Sequence, residues 1–208
     1  MTETAVAPAS SLTFVSSTLA WWTVHDASIR CDLTSTALRT TEGWWLVDPA
    51  PMTDKAVRSL AKQAPILGIL LTNENHVRAA KDLAELGYGP VHAHEATLGH
   101  MDIHPDVCFC DDEILKGKVK ALHIPGATEG ESCFYDARTS VVVMGDALIH
   151  LKETGFALLP DKYAKDPTQS KQSLQRLLDL EFETMMFAHG PPLTINPRQQ
   201  LQKLLITP

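Results

Sequence analysis

Short apolar runs broken by small polar residues open the chain. Leu12 to Val15, Ala20 to His25, Ser28 to Asp32 and Thr36 to Arg39 are rich in Thr, Val, Trp and Ile, and predict an antiparallel meander. Gly43 to Val47 is a further strand, stopped by Asp48-Pro49-Ala50-Pro51. Thr53 then caps a helix with Ala56, Val57 and Leu60 on one face. From here strand and helix alternate. Ile66 to Leu71 is an apolar strand, Thr72 to Asn75 a turn, and His76 to Leu86 a helix with Val77, Ala80, Leu83 and Ala84 inward and Gly87 as its stop. Pro90 to His94, Lys118 to Ile124, Ser132 to Asp136 and Ser140 to Met144 return to sheet, the last two joined by a hairpin at Ala137-Arg138-Thr139. Asp166-Pro167 opens a helix through Leu180, Thr184 to Ala188 is a strand, and Asn196-Pro197 opens a last helix with Leu201, Leu204 and Leu205 inward.

Two mixed sheets covered outside by helices bury this many apolar strands. Adjacent residues of a strand face opposite sides, so each pair Trp21-Trp22 and Trp44-Trp45 should place one ring in the core and the other under a helix or loop rather than form a stacking platform. The chain has 208 residues with 44% hydrophobic content, enough for one large core. Met1 to Ser10 read as a frayed tail and 11–208 as a single domain. A net charge of −7 disfavours nucleic acid and anionic membrane as partners and favours a small-molecule substrate or ligand. The first ten residues carry no Lys or Arg, no apolar run reaches membrane-spanning length, and the four cysteines are few, so a cytoplasmic protein with free thiols is expected.

The candidate chemistry begins at Gly145-Asp-Ala-Leu-Ile149. Asp146 follows the buried run Ser140 to Met144, and a carboxylate at the end of a core strand is held where it can reach a metal or a proton. It can equally cap a turn. Leu46-Val-Asp-Pro49, Leu71-Thr72 with its polar turn, His123-Ile-Pro-Gly126 with Ala127-Thr-Glu-Gly130, Gly145-Asp-Ala-Leu148 and Ala188-His-Gly-Pro191 succeed one another in the order of the metallo-β-lactamase superfamily. The chain resembles that family from about Gly43 to Leu205. The resemblance implies an α/β (α+β) four-layer αββα sandwich with a metal site along one edge of its two sheets. It also implies a hydrolase of esters, thioesters, lactams or phosphoesters.

The family places His-x-His-x-Asp-His in the turn where this chain has Asn73, Glu74, Asn75 and His76, and a histidine where it has Ala127. Aligned without a gap, Asn73 and Asn75 replace the first two histidines, Val77 and Arg78 replace the final Asp-His, and no ligand of the motif survives. With the turn shortened by two residues, His76 takes the last histidine's place and Asn75 that of the aspartate. The helix that follows then keeps its apolar period. On this alignment His76, Asp146 and His189 remain as metal ligands for one zinc, iron or manganese ion. Asp146, Asn75 and Asn73 are then the candidate catalytic positions, with Glu74 or Arg78 beside them to orient substrate or water. An ion so held lowers the pKa of water toward neutrality for attack on a carbonyl or phosphoryl centre.

The alternative is a catalytically inactive, metal-free member of the fold that binds a ligand or a protein. There Asn75 caps a helix at His76, Asp146 bonds backbone amides and His189 packs beside Gly190. His92, His94, His100 and His104 with Cys108 and Cys110 have the ligand types of a structural zinc site but lack two well-spaced pairs. Cys31 and Cys133 read as small buried hydrophobes, and His123 as a core residue. The Leu151 to Tyr163 stretch reads as a loop that walls a pocket or merely connects.

Overall fold

The computed structural model describes residues 6–206. Strands β1 (Thr13–Ser16), β2 (Leu19–Asp26), β3 (Cys31–Arg39) and β4 (Trp44–Val47) form the antiparallel meander. Helix α1 (Asp54–Ala61), capped by Thr53 Oγ1, crosses over to β5 (Ile66–Leu70), and α2 (Ala80–Glu85) crosses to β6 (Val91–His94). With β7 (Val107–Phe109) these strands continue parallel to β4, and the seven lie in the order β1-β2-β3-β4-β5-β6-β7. Strands β8 (Lys120–His123), β9 (Ser132–Asp136) and β10 (Val141–Val143) form the second sheet. The chain then makes a separate hairpin of β11 (Leu148–Leu151) and β12 (Gly155–Leu158), passes through α3 (Pro167–Ser173), and returns as β13 (Thr184–Met186), parallel to β10. Helix α4 (Pro197–Ile206) closes the chain.

Three apolar layers separate the four structural ones. Val57 and Leu60 of α1 and Ala80 and Leu83 of α2 pack on Trp22, Trp44, Leu46 and Ile69 of the first sheet. Between the sheets lie Leu38, Trp45, Val47 and Phe109 from one side and Phe134, Val141, Val143 and Met186 from the other. Leu174, Leu177, Leu201 and Leu205 cover the outer face of the second sheet at Val142 and Met185. Each such fully buried Leu stabilises the fold by about 1.5–3 kcal/mol. Trp44 and Trp45 divide between the first two layers, as strand alternation requires. Trp22 is buried with its indole N–H donating to the Ala50 carbonyl, while Trp21 is half-buried. The αββα sandwich is therefore the observed architecture.

The structure corrects several boundaries. The two expected strands Ser28–Asp32 and Thr36–Arg39 are a turn followed by one long β3. Its polar centre Thr34-Ser35-Thr36 is buried because Ser35 Oγ donates to the Asp48 carbonyl and accepts from the Ala50 amide. The expected helix from His76 begins only at Ala80, since Arg78 has φ 44°, which breaks a right-handed helix. The helix expected through Leu180 is α3 followed by a 3₁₀ stretch, Leu174–Asp179. Strand β7 and the β11–β12 hairpin were not anticipated. The expected frayed tail is docked from Val6 onward, with Ala9 bonded by backbone to Pro51 and Thr53; residues 1–5 lie outside the described residues. No described helix is long and apolar enough to cross a membrane.

Candidate metal centre

The parallel pairs β4/β5 and β10/β13 end on the same edge of the sandwich, and the chain's polar side chains collect there. Asp48 follows β4, Thr72 to His76 follow β5, Asp146 follows β10 and His189 follows β13. Backbone bonds tie these ends together: across the two sheets Ser132 N donates to Thr72 O and Thr34 N to Ala188 O, and from the β11–β12 hairpin His150 N donates to His189 O.

Three side chains converge. One ligating atom from each of His76, Asp146 and His189 lies within 4.8 Å of the other two. Both imidazoles turn Nε2 toward Asp146 Oδ1, each at 3.3 Å. The other ring nitrogens are held from behind. His76 Nδ1 lies 2.9 Å from Asp48 Oδ2 and 2.8 Å from Thr72 Oγ1, and Asp48 also accepts from the Thr72 amide and hydroxyl. His189 Nδ1 lies 3.1 Å from the Asp32 carbonyl and 3.2 Å from Cys31 Sγ. A carboxylate or carbonyl behind an imidazole fixes its tautomer and aims Nε2 outward, the arrangement that metal-ligating histidines adopt. Two imidazole nitrogens and a carboxylate oxygen are also a donor set suited to zinc or a first-row transition metal, so the residues fit a single ion.

Without an ion the three groups satisfy one another. Burial opposes charging of His76, but the negative charges of Asp146 and Asp48 outweigh it, against Arg78, and hold its pKa at about 10. Burial likewise disfavours the charged form of His189, and its bond to Asp146 with the nearby Cys31 sulfur raises the pKa to about 9. Asp146 is pushed up by burial, yet the His76 charge and the bonds from both imidazoles hold it well below the usual carboxylate range. Two imidazolium rings thus clamp one carboxylate.

Asn73 and Glu131 form a second, deeper layer. The Asn73 side-chain nitrogen donates to Glu131 Oε2 at 2.9 Å and to Asp146 Oδ2 at 3.2 Å, and Asn73 Oδ1 accepts from the Asn75 amide. Glu131 is completely buried and also accepts from Thr128 Oγ1 and the Ala147 amide. Burial, together with the charge of Asp146, raises its pKa to about 8. On the shortened alignment Asn73 and Ala127 fall where the resemblance places ligands of the family's other metal, and Asn75 takes the place of a carboxylate beside His76. Asn73 presents its amide nitrogen to two carboxylates and Ala127 offers no donor, so these two residues do not fit a second ion.

The other singled-out residues do not join the cluster. Asn75 lies on the wall of the cavity that the cluster floors. Arg78 donates through its terminal nitrogens to the carbonyls of Thr34, Asp48 and Ala188, while its Nε is buried with no hydrogen-bond partner. Glu74 Oε2 is buried with no hydrogen-bond partner. Among the described residues, His92, His94, His100, His104, Cys108 and Cys110 form no group with metal-binding geometry; His94 stacks on His123 with centroids 4.0 Å apart. All four cysteines are free. Cys133 is buried as expected, but Cys31 is only half-buried and touches His189.

The sequence profile described as metallo-beta-lactamase superfamily matches residues 13–207. The chain belongs to the metallo-β-lactamase superfamily. Its structure is similar to that of the DIM-1 metallo-beta-lactamase, with a TM-score of 0.75 at 17% identity over 97% of this chain and 98% of that one. It is likewise similar to a metallo-beta-lactamase from Pontibacter korlensis, with a TM-score of 0.73 at 18% identity over 95% of this chain and 99% of that one. TTHA1623 in a di-iron-bound form shares 25% identity and a TM-score of 0.63 over 88% of this chain and 96% of that one. No curated protein matches the chain in sequence. The family's fold is of hydrolase type, and His76, Asp146 and His189 converge on one edge of it with a geometry that could hold an ion.

Two predictions arise from the second layer of contacts around His189. Gly190 has φ +108°, and a Cβ there would stand 1.8 Å from the His150 carbonyl oxygen, so Gly190→Ala forces β11 and the His189 loop apart. A loss of about 2–5 kcal/mol is expected, read from the urea midpoint, and an unchanged midpoint would contradict the packing described. Cys31→Ala removes one of the two groups behind His189 Nδ1 while leaving the Asp32 carbonyl. It should weaken metal affinity about tenfold with little change in stability; equal affinity in a competition titration against a chelating dye would show the thiol to be idle.

Proposed function

We propose that the chain is a hydrolase working with one metal ion held by His76, Asp146 and His189, and that it cleaves an ester, thioester or phosphoester of a small-molecule substrate. The observation that carries this reading is the convergence of the three ligating atoms within 4.8 Å, with the far nitrogen of each imidazole already held. Zinc, iron and manganese all suit the donor set, and the relative at 25% identity is described in a di-iron-bound form. When bound, such an ion supplies Lewis-acid activation of water and of the substrate oxygen.

The chain's own residues have distinct parts in this reading. Asp48 and the Asp32 carbonyl fix the two imidazoles, and Asn73, anchored by Glu131, holds Asp146 in place. Asn75, exposed on the cavity wall, is assigned to orient water or a substrate oxygen. The test is turnover of simple esters by metal-loaded protein. Activity should vanish with chelator and return with the same metal; turnover that persists in chelator would overturn the reading.

A second reading has its own supporting observation. Asp146 already accepts from His76, His189 and Asn73, so the site is satisfied without metal, as in a member of the fold that binds a ligand and does no chemistry. That reading predicts no metal uptake and no response to chelator.

A further inference from the structure

Cys31 opens β3 and is not one of the three proposed ligands, yet it stands in line with two of them. Its Sγ lies 3.2 Å from His189 Nδ1, and His189 Nε2 lies 3.3 Å from Asp146 Oδ1. The Asp32 carbonyl, 3.1 Å from the same Nδ1, can only accept, so Nδ1 carries a proton and shares it between that oxygen and the sulfur. The thiol's own proton has the Asp32 carbonyl at 3.7 Å. Thiol, imidazole and carboxylate thus form one chain of contacts, in the order by which a cysteine is made nucleophilic. A ring N–H faces the charge that builds on sulfur, and a carboxylate on the far side of the ring sustains it.

The sulfur can be reached from two sides. Cys31 lines both the cavity above His76, Asp146 and His189, of about 830 Å³, and a second of about 590 Å³ between the β2–β3 and β11–β12 hairpins. Arg30 lines both cavities too, and this exposed cation forms no ion pair among the described residues. The acids that flank it in the chain are engaged, Asp26 by Ser28 and Asp32 by His25. The other three cysteines lack this combination. Cys133 is completely buried, and burial pushes its thiol up. Cys110 is bonded to Glu95 and lies near Glu113, and these push its thiol up as well. Cys108 and Cys110 are both exposed, at a strand four places along the sheet from β3. At the usual strand spacing that is about 19 Å, too far for a disulfide to Cys31.

We propose that Cys31 is a hydroperoxide-reactive thiol, activated by His189 and Asp146, and that its oxidation to the sulfenic acid loosens the His189 ring. Sulfur attacks one oxygen of hydrogen peroxide. The S–O bond forms as the O–O bond breaks, sulfur gives up two electrons to the peroxide, and the departing oxygen leaves as water with the thiol's proton. With no second cysteine in reach, the product stays a sulfenic acid until two small thiols reduce it, leaving as their disulfide with release of water. The added oxygen comes between Cys31 and the ring it touches, so Nδ1 loses one of its two fixed partners. The proposal goes beyond the hydrolase reading and needs no ion.

Metal-free protein is treated with equimolar hydrogen peroxide in the presence of dimedone, and the labelled peptides are quantified over time by mass spectrometry. Cys31 is expected to be labelled about tenfold faster than Cys108 or Cys110, and Cys133 not at all. His189→Gln and Asp146→Asn should each slow Cys31 several-fold and leave Cys108 unchanged. Arg30→Gln, on an exposed turn where the fold is unaffected, should slow it as well. Labelling of Cys108 or Cys110 ahead of Cys31, or a Cys31 rate indifferent to all three variants, would overturn the proposal. The His189 imidazole NMR signals of the metal-free protein should move on oxidation and return with dithiothreitol; signals that stay in place would overturn the loosening of the ring. Selective labelling with moving signals, in a protein that takes up no zinc even when reduced, would support the reactive thiol and sink the hydrolase reading. Zinc-dependent ester turnover without any labelling of Cys31 would do the reverse.

Discussion

Metal uptake at pH 7 is expected to release about two protons per ion, and the apparent affinity to rise up to about a hundredfold per pH unit until pH 9. The reason is the number of protons the three side chains hold before an ion binds. With His76 at about 10 and His189 at about 9, both rings are charged at neutral pH, and each must shed its Nε2 proton to become a ligand. Between about pH 9 and 10 one proton remains to be displaced, and above that the affinity levels off. Calorimetry at pH 8 in buffers of different ionisation enthalpy gives the number directly. Imidazoles of ordinary pKa would be neutral there and release almost none, so a count near zero would show that Asp146 does not clamp two charged rings.

The same shifts set the stability of the metal-free protein. A raised folded-state pKa stabilises fully below the unfolded value and ceases to do so as pH climbs through the folded one. The His76 and His189 contributions are present below pH 6.5 and are lost through about 9 and 10. The Glu131 contribution is present below pH 4.5 and declines up to about 8. The depressed Asp146 acts in the opposite sense, its contribution lost only in acid. Urea midpoints should therefore fall from pH 6 to pH 10 without metal, and fall less with it.

Asp146→Ala is expected to produce the second large effect. It removes the acceptor shared by both imidazoles and by Asn73, leaving two buried cations facing each other across 5.6 Å between ring centroids. With the shared acceptor gone, burial and the neighbouring ring lower the pKa of His189, and burial with Arg78 lowers that of His76, which keeps only Asp48 to support its charge. Loss of one partner of a buried ion pair costs about 3–5 kcal/mol, and one of the three proposed ligands goes with it. Denaturation of the metal-free variant at pH 7 reads the first consequence and imidazole NMR titration the second. A variant as stable as the parent, with both rings still titrating near 9 and 10, would mean that Asp146 is a bystander.

Much of this architecture was legible in the sequence, because strand alternation and helical period report burial directly. Thr53 capping α1, Pro167 opening α3 and Pro197 opening α4 stand where local chemistry places them. The misread segments are those where a distant partner overrides local preference. Arg78 looks like a solvent-facing helical residue, but its guanidinium binds carbonyls 44, 30 and 110 residues away, and the backbone leaves the helical region to let it do so. Thr34-Ser35 reads as a polar break between two strands, yet Ser35 bridges Asp48 and Ala50 inside the sheet.

The site divides in the same way. His76, Asp146 and His189 each lie beside a recognisable landmark, and the structure places them together. Their supporting residues carry weaker signals. Asp48 reads as the residue that stops a strand before proline, and Glu131 as one of two glutamates in a loop. The Cys31–His189 contact joins residues 158 positions apart and leaves no local trace. An acidic residue directly after an apolar strand is the one hint that was available for Asp48, since Asp146 was found by that criterion.

The metal content of untagged protein, purified without chelator and then offered zinc, iron and manganese, tests the single-metal centre most directly when set against the His76→Ala/His189→Ala variant. About one equivalent per chain in the parent and none in the variant is the expected result. No metal in the parent after all three have been offered, or equal amounts in both proteins, would contradict a centre built from His76, Asp146 and His189.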